Sequence, residues 1–306
     1  MSGHIPVLLQ PVLDLLSPRE GEIFIDCTAG LGGHASAVAQ LLGPKGTVVL
    51  NDLDSGNLSV ASGAVSQACA GINLTSLHGN FAQVPYALES RGLQANLLLA
   101  DFGFASSQVD TPARGFSFRY EGPLDMRMDT SRGVTAAELV AGSSEQELTK
   151  LLLEFGEERH ARRIAKKLVQ VRREQPILTT THLAELVRGV VGYAGGIDPA
   201  TRTFQALRIA VNDELGSIEA LLAAVTAEVL GYLRHRRHRW LAPGARLVFI
   251  TFHSLEDRPV KRALQELVLA GGENLSGGLI RGDDAEVHVN PRARSAKLRG
   301  LRLPVT

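Results

Sequence analysis

The first hundred residues alternate short apolar runs with segments of helical spacing, and this rhythm constrains the fold more than any other feature of the chain. Glu22–Thr28 (EIFIDCT) is an apolar run that closes on Asp26 and Thr28 and then on glycines, which reads as a buried strand. His34–Leu42 has helical spacing and stops at Gly43-Pro44. Thr47–Asp52 reads as a second strand, Asn57–Cys69 as a helix of small residues, and Asn73–His78 as a third strand. Phe81–Arg91 reads as a helix ended by Gly92, and Ala95–Asp101 as a fourth strand. Strand and helix repeated at this pitch make βαβ units and a parallel sheet, so the fold class is α/β. The runs do not alternate with polar residues, which fits strands buried on both faces.

The rhythm breaks after Asp101. Pro112–Asp129 is a loop rich in Gly, Pro and Arg. Helical stretches follow at Thr135–Val140, Glu145–Phe155, Glu157–Arg173 and His182–Val191, with Thr135 and Glu138 spaced as a capping box. Thr203–Leu241 reads as a long helix bent near Gly216 or Gly231. Arg246–Phe252 is a fifth strand, Leu255–Leu269 a helix, and Glu286–Val289 with Lys297–Leu303 a final pair of strands. A chain of 306 residues is long for one domain. The spacing therefore predicts a sheet domain made of residues 1–110 and 200–306, interrupted by an all-helical insert at 111–199.

Composition excludes several classes. Lys+Arg and Asp+Glu each total 32, so neither a histone-like protein nor an acidic disordered chain is at hand. Aromatic residues are 5%, too few for a single-strand stacking platform. The two cysteines, Cys27 and Cys69, suit a reducing compartment. The N-terminus lacks the pattern of a signal peptide, and no stretch of about 18 apolar residues is apparent, so no membrane partner and a cytoplasmic location are expected.

In an open parallel sheet, ligands bind beyond the carboxyl ends of the strands. Here those ends carry Asp26, Asp52 and Asp101 around the loop Gly30-Leu-Gly32-Gly33-His34. An acid at the end of a second strand commonly accepts the hydroxyls of a ribose. The dinucleotide fingerprint is incomplete, because its third glycine is replaced by Ala35. The pattern fits S-adenosylmethionine (SAM) better. A tight strand–helix turn is the alternative explanation for Gly32 and Gly33, and a capping or loop-bracing role the alternative for Asp26.

Longer motifs occur in a fixed order: His4-Ile-Pro-Val-Leu-Leu, Gly32-Gly33-His34, Arg114-Gly-Phe-Ser-Phe118, Gly122-Pro-Leu-Asp-Met-Arg-Met-Asp129, Phe155-Gly-Glu-Glu158, Pro199-Ala-Thr-Arg-Thr-Phe-Gln-Ala-Leu-Arg208, Phe252-His-Ser-Leu-Glu-Asp-Arg258 and Asn290-Pro-Arg-Ala-Arg294. In these the chain strongly resembles the RsmH (MraW) family of bacterial methyltransferases. The resemblance implies a class I SAM-dependent methyltransferase sheet with an inserted helical substrate-recognition domain. It implies methylation of the exocyclic N4 of a cytidine in the decoding centre of small-subunit (16S) ribosomal RNA. It also implies cofactor contacts at Gly32, Gly33, His34, Asp52, Phe81, Asp101 and Gln108. Phe81 read without the family is an ordinary core residue. The segment Asp101-Phe-Gly-Phe-Ala-Ser-Ser-Gln108 keeps the family's length but not its usual residues.

Amine methylation needs an acceptor for an amino hydrogen as the bond forms, and Asp101 is the candidate. Phe104 either stacks the target base or fills the core. Neither cysteine occupies an evident acceptor pocket, which favours an amine or hydroxyl target over ring carbon. His253 is either a catalytic contact or part of a helix start in which Ser254 and Asp257 form a capping box. Gln205, Arg208 and Asn212 make a polar stripe, with Arg202 ahead of it, that is either solvated or turned to RNA. The basic tail with Arg292 and Arg294 is the favoured RNA contact, ahead of Arg159–Arg173 and Arg234–Arg239. No His/Cys/Asp spacing suggests a metal. A homodimer is compatible with the sequence. Two other readings stand beside this one: an enzyme acting on another RNA or DNA amine, and a ribosome-assembly factor with a degenerate SAM pocket.

Overall fold

Apolar runs without alternation require cover on both sides, and the computed structural model shows how they get it. It describes residues 6–103, 106–192, 195–235 and 239–305. The expectations placed on His4, on Phe104 and on the middle of the Arg234–Arg239 cluster lie outside the described residues.

The chain opens with α1 (Leu9–Leu16) and β1 (Ile23–Asp26), then α2 (Gly33–Leu42), β2 (Thr47–Asp52), α3 (Ser55–Ala68), β3 (Asn73–His78), α4 (Val84–Glu89) and β4 (Ala95–Asp101). A helical series follows: α5 (Ser106–Asp110), α6 (Ala136–Gly142), α7 (Glu145–Gly156), α8 (Ala161–Val171), α9 (Thr180–Val191) and α10 (Ala200–Asn212). The last part is α11 (Glu214–His235), β5 (Leu241–Thr251), α12 (Ser254–Leu269), β6 (Glu273–Asn274), α13 (Asp284–Val289) and β7 (Lys297–Arg302). These elements make two compact units, Met1–Gly103 with Leu215–Thr306, and Phe104–Glu214. The helical unit therefore takes in α10, which the sequence boundaries of 111 and 199 assign to the sheet domain.

The first unit is a seven-stranded sheet in the order β3-β2-β1-β4-β5-β7-β6. Its first five strands are parallel, while β7 runs antiparallel to β5. This is the sheet the resemblance implied. Successive residues of each central strand feed opposite layers. Phe24, Leu97, Leu99, Val248 and Ile250 pack with α1, α2 and α3, whereas Ile25, Leu98, Ala100, Leu247 and Phe249 pack with α4, α11 and α12. Strand order reverses between β1 and β4, so the crevice of a doubly wound sheet opens at their carboxyl ends.

The second unit is helical, with a core of its own that includes Leu148, Leu152, Ile164, Leu168, Leu183, Val187, Phe204 and Leu207. The Thr135–Glu138 capping box at α6 is present, and Ser144–Glu147 forms another at α7.

Four expectations change. The long helix breaks at Asp213, which adopts φ 48°, and not at Gly216 or Gly231. Strand β5 begins at Leu241, five residues before Arg246, so that Trp240–Ala242 is core. Glu286–Val289 is helix, because Asp283 accepts from Glu286 N and starts a turn. Finally, one stretch of the described residues, Glu214–Tyr232, is long and apolar enough to cross a membrane. Its Ile218, Leu221, Val225 and Val229 are buried against the sheet, so it serves here as a core helix.

Candidate active site

The strand–helix turn after β1 depends on glycine for two distinct reasons. Gly32 has φ +82°, and a Cβ there would stand 2.7 Å from Ala61 Cα, so its absence lets α2 approach α3. A Cβ on Gly33 would meet the Pro6 ring at 2.5 Å. Both glycines serve packing. Gly30, with φ +52°, faces open space, its nearest contact being Thr28 O at 3.9 Å. It is the glycine of this loop that leaves room for a ligand.

Three carboxylates converge beside it. Asp52 ends β2 and accepts Gly30 N and Asp54 N, one on each oxygen, both at 2.8 Å. Each oxygen keeps a further lone pair for a hydroxyl donor. Burial raises its pKa from 3.8 to about 6. Asp26 ends β1, is fully buried and accepts Thr28 N at 3.1 Å. Burial raises its pKa to about 8, with Asp101 and Asp52 adding to the shift. Asp101 ends β4 at the reversal point. Its backbone N donates to Thr28 Oγ1 at 2.7 Å. Its side chain is 23% exposed, yet Oδ1 is sealed and has no hydrogen-bond partner. Low-polarity surroundings raise its pKa to about 7, and the charge of Glu256 adds to this. His34, buried at the start of α2, places Nε2 3.9 Å from Asp101 Oδ2.

Supporting residues escaped the sequence reading. Buried Asn51 donates to Cys27 O at 2.9 Å and Gly79 O at 3.1 Å, tying together the ends of β1 and β3. Its signal was a polar residue just before the final acid of an apolar strand. Asn80 caps the turn that carries Phe81, through Oδ1 to Ala82 N at 2.8 Å, and holds Ser217 at 2.6 Å. Phe81 is half-buried, with its ring 5.5 Å from that of Phe102, and packs against the core of the sheet unit.

His253 follows β5 and is the N-cap of α12. Its Nε2 stands 2.9 Å from Glu256 Oε1, and Glu256 accepts Phe252 N at 2.7 Å and His253 N at 3.3 Å. The helix start is thus His253 with Glu256, not Ser254 with Asp257. Asp257 instead holds Arg299 at 2.8 Å and Lys297 at 3.8 Å. Arg302 pairs with Glu273, so the cations of β7 are already matched. Arg292 is half-buried and Arg294 exposed.

In the helical unit, the polar stripe of α10 is turned inward. Gln205 donates to Phe155 O at 3.0 Å. Arg208 forms a two-pronged pair with Glu214 at 2.8 and 2.9 Å. Asn212 donates to Met126 O and accepts Met128 N, pinning the Gly122–Asp129 loop. Arg202 is exposed, with one long bond to Glu157 O at 3.4 Å. Gln108 is buried within α5.

Carboxylates at the reversal point of a doubly wound sheet beside an open glycine loop suit a cofactor of the nucleoside kind. The family model for the MraW methylase family matches residues 1–303, and the chain belongs to that family. It is 45% identical to a ribosomal RNA small subunit methyltransferase H from Sorangium cellulosum, over 98% of this chain and 90% of that one. A protein of the same name from Methylococcus capsulatus is 42% identical over 95% and 98%. An rRNA methylase structure from Streptococcus thermophilus covers 99% of each chain at 10% identity and a TM-score of 0.42. The cofactor of this methylase is SAM, and the residues fit it: Gly30 leaves room, Asp52 has spare acceptors, and the sealed Asp101 Oδ1 lacks a donor.

Proposed function

We propose that the chain methylates the exocyclic N4 of a cytidine in the decoding centre of 16S ribosomal RNA, in the cytoplasm, with the small ribosomal subunit as its partner. The names of the relatives support the RNA substrate. The observation that carries the amine chemistry is the carboxylate of Asp101, partly exposed at the reversal point and with its pKa raised to about 7.

SAM, when bound, supplies an electrophilic methyl group. Asp52 accepts ribose hydroxyls, the loop at Gly30 to His34 lets the backbone approach, and Phe81 covers the base. The lone pair of a cytosine amine is delocalised into its ring. Asp101 localises that pair by accepting an amino hydrogen, an interaction that strengthens as the new bond forms. A carboxyl with a pKa near 7 takes a proton more readily at neutral pH than an ordinary one. His253 holds Glu256, whose charge sustains that basicity. Cys27 does not suit ring-carbon chemistry, because burial and Asp26 push its thiol well above the usual range. On the RNA side, Arg202, Arg292 and Arg294 meet phosphate. Gln205, Arg208 and Asn212 act by shaping the loop that Asn212 holds.

The test is incubation with labelled SAM and unmodified small subunits, followed by nucleoside mass spectrometry. N4-methylcytidine is expected. Methylation of another nucleoside, or SAM binding without product, would withdraw the target.

A further inference from the structure

Helix α8 carries charges that its packing does not use. From Arg159 to Arg173 the chain has seven Arg or Lys and no acid. Two of the seven are consumed within the unit. Arg163 donates to Val190 O at 2.7 Å, and Arg172 donates to Ser143 O at 2.6 Å and to Val140 O. Each closes carbonyls near the end of a neighbouring helix, α9 or α6.

Four of the remaining five, all but the half-buried Lys167, form an outer face. Arg162, Lys166 and Arg173 fall at i, i+4 and i+11, with Gln170 between them and Arg159 in the preceding turn, and all are exposed. The opposite stripe, Ala161, Ile164, Ala165 and Leu168, is buried. The ion pairs of this unit lie elsewhere: Asp125–Arg127, Asp129–Arg132, Lys150–Glu154, Arg188–Asp198 and Arg208–Glu214. Among the described residues none engages this face. Glu145 and Glu154 of α7 line a groove with Arg162, but Glu154 pairs with Lys150.

This arrangement works against the helix that bears it. Arg162 and Arg163 occupy a first turn that has no acid, where the macrodipole disfavours cations. Arg162 and Lys166 are like charges one turn apart. Helix α7 does the reverse, opening with Glu145 and Glu147 and pairing Lys150 with Glu154. A unit that optimises one helix and loads its neighbour with unmatched cations holds that neighbour for an external polyanion.

We infer that the Arg159, Arg162, Lys166 and Arg173 face of α8 docks the phosphate backbone of the substrate RNA. The inference rests on the RNA reading of the function. Lys and Arg in a row, with no aromatic side chain among them, grip phosphates without reading bases.

The test measures binding of the full chain to small-subunit ribosomal RNA across a salt series, together with methyl transfer and SAM titration. The variant carries Arg159→Gln, Arg162→Gln, Lys166→Gln and Arg173→Gln. Its slope of log affinity against log salt is expected to shallow by about three to four, and its KM for small subunits to rise roughly ten- to a hundredfold. SAM affinity and the circular dichroism spectrum are expected to hold. Replacing the three arginines by lysine should keep most of the slope, as a point-charge role requires. Lys150→Gln, a cation already paired, should change nothing. Wild-type slope and KM in the quadruple variant would overturn the inference while leaving the function intact. Loss of binding to anionic lipid vesicles with RNA binding unchanged would overturn it too. A wild-type chain that neither binds nor methylates ribosomal RNA would remove both readings.

Discussion

The two units treat charge in opposite ways. At the strand ends of the sheet unit, Asp26, Asp52 and Asp101 are gathered with raised pKa values and little compensation from cations. In the helical unit, interior charges are matched: Arg208 with Glu214, Arg188 with Asp198 and Arg127 with Asp125. Uncompensated carboxylates are held ready for a ligand, whereas matched ones hold a loop or a helix in place. On the proposed function, the difference separates residues that would meet a ligand from residues that build the frame around it.

Asp101→Asn tests the reactive side most severely. Turnover is expected to fall about 10²- to 10⁴-fold, while isothermal titration still detects SAM. Unchanged turnover would remove the acceptor role. Arg208→Met tests the matched side. Its side chain is 12% exposed and that of Glu214 10%, so the variant removes a two-pronged cationic partner from a buried carboxylate. It should lose about 3–5 kcal/mol in urea unfolding, with most of this regained on adding Glu214→Leu. A double variant no better than the single would mean that packing, not charge, is lost.

Gly32→Ala should cost about 1–3 kcal/mol, from a positive φ and the clash with Ala61. Gly30→Ala should cost less stability and act chiefly on SAM affinity. A larger loss of stability at Gly30 would reverse the roles assigned to the two glycines.

The subtlest test is pH. The folded pKa values of Asp52, Asp101 and Asp26 are about 6, 7 and 8, against 3.8. The folded sheet unit therefore holds more protons than the unfolded chain in this window. Its contribution to stability is complete below about 3.8 and is lost as pH rises through 6 to 8. Asp125 and Asp198 are lowered instead: burial opposes this, but hydrogen bonds from Arg127 and Arg188, those from the backbone N–H of Arg127 and Ala200, and the guanidinium charges together outweigh it. Their contribution persists at high pH and is lost only on acidification below the ordinary carboxylate range. Hydrogen exchange, corrected for intrinsic rates, should show the sheet unit loosening from pH 5.5 to 8.5 while the helical unit does not. Parallel behaviour of the two units would end the contrast.

What the sequence made legible follows the same division. Thr47–Asp52, Asn73–His78 and Ala95–Asp101 are strands at the expected bounds, because strand propensity, length and terminal acids agree there. Glu286–Val289 misleads because its alternation suits a strand, while the deciding signal is the carboxylate cap of Asp283. The break at Asp213 carries no glycine or proline to announce it. Of the site, Asp26, Asp52 and Asp101 were visible as strand-end acids. The inward turn of Gln205, Arg208 and Asn212 was not, since their partners lie in other segments: Phe155, Glu214, Met126 and Met128.

The interruption of the sheet has a consequence for biosynthesis. Strand β4 is central, and it pairs on one side with β5, whose residues lie roughly 150 positions further along, as in Asp101 with Ile250. At about 5–20 residues per second, β4 leaves the ribosome some 7 to 30 seconds before its neighbour exists. During that interval Leu97, Leu98 and Leu99 present an open apolar edge. The helical unit has its own core and completes first, shortening the span of free chain that β5 must close. An insert that folds early thus acts as a splint for the strand pair that Asp101 ends.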